Sequence, residues 1–313
     1  MNKRLLQTGI YLLLLLPFIA KGQQGNPLFA DPTIFYYDGV YYLYGTNGAN
    51  SNDGFTACTS KDLTSWKPAG KVLTPGQSFG TKGFWAPQVF RYNGRFYMAY
   101  TASEHIAIAV ADNPLGPFRQ KEIKPLDATV RMIDPFVFFD EGKVYLYHVR
   151  LQQGNRIFVA ELNTTLDTII ATTAKECIHA GKGWENTAAA EWSVTEGPTV
   201  FQHDGVYYML YSANDFRNPD YAIGYAVSHS PVGPWTKFKG NPIISRKVTG
   251  ANGSGHGDLF KDKAGKWWYV FHTHYSNEKV APRKTALIEL LFNKKNNELS
   301  ADPKTFHFLN NNQ

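Results

Sequence analysis

Apolar and polar positions along this chain recur in a fixed order: a short apolar run, a polar turn ending in glycine, then an aromatic-rich run. The first copy is Asp31-Pro32-Thr33-Ile34-Phe35-Tyr36-Tyr37, the turn Asp38-Gly39, and Val40-Tyr41-Tyr42-Leu43-Tyr44. Further copies begin at Ala86-Pro87, Asp134-Pro135, Gly197-Pro198 and Gly257-Asp258, each eight residues before a glycine. Runs rich in Val, Phe and Tyr are strand-forming, and the Asp-Gly or Asn-Gly at three of the turns supplies the positive φ of a tight hairpin. The pattern predicts five β-hairpins.

Each hairpin is followed by more short apolar segments, such as Phe55–Ser60 leading to Trp66, Ile106–Ala111 leading to Pro117-Phe118, and Tyr221–Val227 leading to Pro234-Trp235. Four strands per repeat, five times over, describe an all-β, five-bladed β-propeller. A sandwich would not need five near-copies of one hairpin, and a β-helix coil would be shorter. Nothing divides residues 23–313, which read as one domain; 181–194 reads as a loop before the fourth repeat, and the last four residues as a polar tail.

Residues 1–22 read as a secretory signal peptide: Lys3 and Arg4, an apolar run from Ile10 to Leu16, then small Ala20 and Gly22. That run is too short to span a bilayer, so the expected product is secreted or periplasmic, without a membrane span. Loss of the leader lowers the formal charge from +6 to about +3, and no basic run argues for nucleic acid. Cys58 and Cys177 could form one disulfide or none. A monomer is expected.

A propeller brings the start of every blade's first strand to one central channel. Eight before the glycine stand Asp31, Ala86, Asp134, Gly197 and Gly257; nine before it stand Ala30, Trp85, Ile133, Glu196 and His256. Three carboxylates, a Trp and a His thus fall where the repeat diverges from itself. Paired carboxylates suit glycoside cleavage, one protonating the leaving oxygen and another acting on water or the anomeric carbon. Asp31 and Glu196, on separate blades, can stand far enough apart for inversion, with Asp134 between them raising the acid's pKa. An Asp before Pro is often only a turn residue, but Ala86, Gly197 and Gly257 at the matching places show that the turn does not require one. Glu185 and Glu191 read as solvated loop carboxylates; a sugar-binding propeller without catalysis would keep Trp85 and Trp184 as aromatic platforms. His256 sits in a glycine-flanked loop, and no second His stands at zinc-ligand spacing.

Ala30-Asp31-Pro32, Trp85-Ala86-Pro87, Ile133-Asp134-Pro135, Glu196-Gly197-Pro198 and Gly255-His256-Gly257 together resemble glycoside hydrolase family 43, in order and over essentially all of the mature chain. The resemblance implies an inverting mechanism with Asp31 as general base, Glu196 as general acid and Asp134 as pKa modulator and orienter. It also implies Trp85 as an apolar wall of the sugar pocket, Arg283 of Ala281-Pro282-Arg283 as a sugar-binding arginine, and His256 as the channel histidine. No cofactor is required; a hydrated calcium or other channel ion, its waters oriented by His256, is the one metal the resemblance suggests. The implied partner is an oligosaccharide or polysaccharide of plant cell walls, cut at terminal α-L-arabinofuranosides or β-D-xylosides. The rival readings are an endo-acting arabinanase or xylanase, and a sugar-binding propeller without catalysis.

Overall fold

A computed structural model describes residues 27–48 and 50–309, so the leader read in residues 1–22 and the polar tail lie outside the described residues. Five antiparallel sheets follow one another along the chain and form a ring. Blade 1 contains β1 (Phe29–Tyr37), β2 (Val40–Asn47), β3 (Phe55–Ser60) and β4 (Lys67–Leu73), and blade 2 contains β5 (Trp85–Tyr92), β6 (Arg95–Ala102) and β7 (His105–Ala111). Blade 3 contains β8 (Met132–Asp140), β9 (Lys143–Leu151), β10 (Asn155–Leu162) and β11 (Ile169–Ile178). Blade 4 contains β12 (Thr195–His203), β13 (Val206–Ala213), β14 (Ala222–Ser228) and β15 (Thr236–Lys237), and blade 5 contains β16 (Gly255–Lys261), β17 (Trp267–Thr273), β18 (Lys284–Phe292) and β19 (Leu299–Phe308). The propeller is as expected, except that blade 2 has three strands. Its outer edge is reduced to a single bridge, Val110 to Arg119. Pro117 lacks a backbone donor, and the exposed run from Lys121 to Lys124 has little to bury there.

The core lies between blades. Each of five apolar clusters fills one blade-to-blade interface, from Tyr44, Phe55, Met98 and Tyr100 between blades 1 and 2 round to Leu43, Trp66, Val270 and Leu287 between blades 5 and 1. Successive β2 residues therefore both find apolar surroundings: Leu43 faces blade 5 and Tyr44 faces blade 2. That is why the second run of each repeat is apolar without strict alternation. Cys58 and Cys177 are free thiols on blades 1 and 3.

Each blade is built from consecutive strands, so side chains close the ring between blades 5 and 1. Thr285 of β18 is the polar pin of this seam: its hydroxyl accepts the Phe29 N–H at 3.1 Å and reaches the Pro27 carbonyl at 3.0 Å, while its own carbonyl accepts the Leu309 N–H at 3.1 Å. Thr285→Val keeps the shape but leaves the buried Phe29 N–H without that acceptor. We expect it to lower unfolding stability by about 1–3 kcal/mol, read as a reduced urea midpoint at unchanged slope.

Candidate active site

Every first strand carries a bulge near its start, seen as a register shift against the second strand. The bulge residues have positive φ: Asp31 at 48°, Ala86 at 46°, Asp134 at 55°, Gly197 at 59° and His256 at 38°. Proline follows in four blades, where an unpaired bulge position needs no N–H. The fifth bulge residue is thus His256, and not Gly257 as counting back from the glycine suggested. The count slips because this hairpin's turn runs through five residues, from Asp262 to Lys266, and its bulge lacks the proline. Gly257 has a packing role: a Cβ there would lie 1.7 Å from the Val270 carbonyl oxygen.

A regular set of hydrogen bonds holds these strained residues. The bulge N–H of one blade is accepted by a side chain on the second strand of the preceding blade: Ala86 by Thr46 at 3.0 Å, Asp134 by Thr101 at 3.0 Å, His256 by Ser212 at 2.8 Å and Asp31 by His272 at 3.1 Å. The matching position on blade 3 is Val149, whose side chain cannot accept. There the Gly197 N–H turns to the Asp134 carboxylate at 3.1 Å. The one break in the pattern fixes a carboxylate.

Asp31 is 8% exposed. Its Oδ2 accepts the Thr46 hydroxyl at 2.5 Å, and its Oδ1 lies 3.3 Å from Arg283 Nη1 and 3.4 Å from Nδ1 of both His256 and His272. Burial alone would raise its pKa, but the charge of Arg283 outweighs burial and holds this carboxyl well below the ordinary range. Burial lowers His272 to about 3, with Arg283 adding to the effect, and burial also lowers His256.

Glu196 lies in the opposite environment. Tyr221 donates its hydroxyl to Oε1 at 2.7 Å and Asn155 its amide to Oε2 at 3.0 Å. Burial dominates these bonds, the charge of Asp31 adds to it, and the carboxyl is pushed up to about 7. Asp134 is also raised, by burial and then by its neighbours Glu196 and Asp31. The Asp134 and Glu196 carboxyls titrate as a linked pair that holds protons above the ordinary range.

The structure therefore gathers Asp31, Asp134 and His256, with His256 Nδ1 3.4 Å from Asp31 and 3.8 Å from Asp134. Arg283 joins them at Asp31 instead of lying on the surface. Trp85, partly exposed, occupies the same register position on blade 2 as Glu196 on blade 4. Two loop expectations change. Glu185 is buried, accepting from the Tyr211 hydroxyl at 2.6 Å and Lys237 at 2.7 Å. Trp184 packs on Tyr211 at 5.8 Å, and the exposed indole of that loop is Trp192. Sequence reasoning also passed over Thr46, Asn155, Tyr221 and His272. Nothing in the local sequence marks His272 beyond its two-residue spacing from His274.

The channel at the bulges encloses about 20 Å³ of free space, room for one water-sized species, and its lining includes Asp31, Asp134, Asp258, Thr33, Thr199 and His256. Among the described residues no group of three or more His, Cys, Asp or Glu is placed to hold a metal, and His256 Nδ1 is turned to two carboxylates. No step is assigned to an ion.

A model of glycosyl hydrolases family 43 matches residues 25–296. The chain belongs to that family. This family 43 glycosidase resembles a solved structure described as an endo-1,4-beta-xylanase from Bacteroides thetaiotaomicron: 39% identity, TM-score 0.83, covering 88% of this chain and 94% of that one. Among curated proteins it is 24% identical to a beta-D-galactofuranosidase of Aspergillus niger, over 86% of this chain and 82% of that one. It is 26% identical to an extracellular endo-alpha-(1->5)-L-arabinanase of Bacillus subtilis, over 78% of this chain and 64% of that longer protein. No helix among the described residues is long and apolar enough to cross a membrane.

Proposed function

We propose that this protein is an inverting glycoside hydrolase that removes terminal pentose residues, α-L-arabinofuranosyl or β-D-xylosyl, from plant cell-wall polysaccharides. One observation carries the reading: two carboxyls from different blades, Asp31 buried and Glu196 partly buried, are driven in opposite directions, Asp31 down and Glu196 up to about 7. An ionised carboxylate can take a proton from water, and a carboxyl still protonated near neutrality can give one to a leaving oxygen. Glu196 passes its proton to the glycosidic oxygen as the bond to the anomeric carbon breaks. Water adds to that carbon from the opposite face while Asp31 takes its proton. Burial and the charge of Asp31 keep the acid protonated, Asp134, oriented by the Gly197 N–H, shares its linked titration, and Arg283 holds Asp31 ionised.

The test is product stereochemistry on xylo- and arabino-oligosaccharides, with sugars followed by proton NMR from the first turnover. The newly formed end should appear first as the inverted anomer, and initial retention would overturn the base role of Asp31. The name of the Bacteroides relative favours a second reading, endo action, which the same spectra separate: an exo enzyme releases monosaccharide from the outset, an endo enzyme mixed oligosaccharides. Secretion is part of the proposal, supported by the leader pattern and by the extracellular Bacillus relative.

A further inference from the structure

Trp192 is 51% exposed, on the loop that leads into β12. Isolated exposed hydrophobic residues need no explanation. This one is tied down. Its indole N–H donates to Asn155 Oδ1 at 2.9 Å, and the amide of the same Asn155 donates to Glu196 Oε2 at 3.0 Å. The backbone is fastened as well: the Asn155 N–H donates to the Ser193 carbonyl at 2.9 Å, and the Thr195 hydroxyl to the Asn155 carbonyl at 3.1 Å. Gly154, at φ +110°, permits this approach, since a Cβ there would lie 2.6 Å from the Ser193 oxygen.

A large apolar face is thus presented to solvent while its polar edge is fixed two hydrogen bonds from the proposed proton donor. Its position selects what it meets. In the proposed reaction the cleaved sugar lies between the two carboxyls and the departing group lies against Glu196, whose Oε2 is held by the same Asn155 that holds Trp192. Sugar rings carry an apolar C–H face that lies flat on an indole, and an indole already held in place loses little freedom on binding. We infer that Trp192 is the platform of a leaving-group subsite, stacking the sugar ring next to the scissile bond on the side that departs. This rests on the hydrolase reading above.

The experiment uses the full chain and two substrates of whichever pentose the parent hydrolyses: its trisaccharide and its methyl glycoside, which lacks a second ring. Trp192→Ala should lower the ratio of kcat/KM for trisaccharide over methyl glycoside by about 5- to 20-fold, chiefly through KM, as expected for loss of one stacked ring. Trp192→Phe, which keeps a ring but loses the indole N–H, should retain most of the ratio. An unchanged ratio in Trp192→Ala overturns the subsite. So does an equal loss on both substrates in both variants, which would make Trp192 only a support for Asn155. A parent chain that turns over neither arabinosyl nor xylosyl trisaccharides removes the pentosidase reading and this inference with it.

Discussion

Glu196→Gln should slow hydrolysis of an unactivated oligosaccharide by about 1,000-fold and that of a nitrophenyl glycoside by only about 10-fold, because nitrophenolate departs without a proton. Glutamine retains groups that can pair with Tyr221 and Asn155, so the site keeps its shape. In the parent, kcat/KM should fall as pH rises past about 7, where Glu196 gives up its proton; the variant, assayed on the nitrophenyl substrate, should lack that limb. The parent's stability should fall with rising pH as well. The unfolded carboxyl releases its proton near its ordinary value of 4.5 and the folded one near 7, so the parent loses stability across that interval as pH rises. Above it, the variant should be more stable by on the order of 3 kcal/mol, with no difference below pH 4.5. Thermal melts at pH 4 and pH 8 measure this; equal melts at both would remove the buried-acid assignment.

Asp31→Asn should cost about 10,000-fold in kcat with both leaving groups alike, since activating water is required whatever departs. Asparagine can still accept from Thr46, but it leaves Arg283 without its partner charge. Equal losses distinguish the base from the acid. A Glu196-like dependence on the leaving group, measured with the same substrate pair, would reverse the two roles.

The propeller was legible in sequence because its hairpins use local chemistry. Two-residue turns at Asp38-Gly39 and Asn93-Gly94 announce themselves, as does a second strand that is apolar on both faces. Blade 5 misled the count because a longer turn and a missing proline shifted the repeat by one residue, which hid that His256 stands where Asp31 and Asp134 stand. The three carboxylates could be found because the ring carries repeat positions to one axis. Their partners could not. His272 meets Asp31 across 241 residues of chain and Tyr221 reaches Glu196 from the loop residue just before β14, so neither contact leaves a local pattern. The loop that holds Trp192 has no strand periodicity to mark it, and Trp184 of the same loop is partly covered by Tyr211.

The seam between blades 5 and 1 has a bearing on how such an enzyme would fail under stress. Asp31 belongs to the first blade by sequence, yet its backbone is gripped by His272 and its carboxylate by Arg283, both from the last. The proposed base therefore spans the joint between the first and last blades. Parting of that joint by a fraction of a strand would withdraw both residues while four blade interfaces stayed packed. Heat or denaturant should then silence the protein before it melts it, and the joint, more than the fold as a whole, sets its working lifetime.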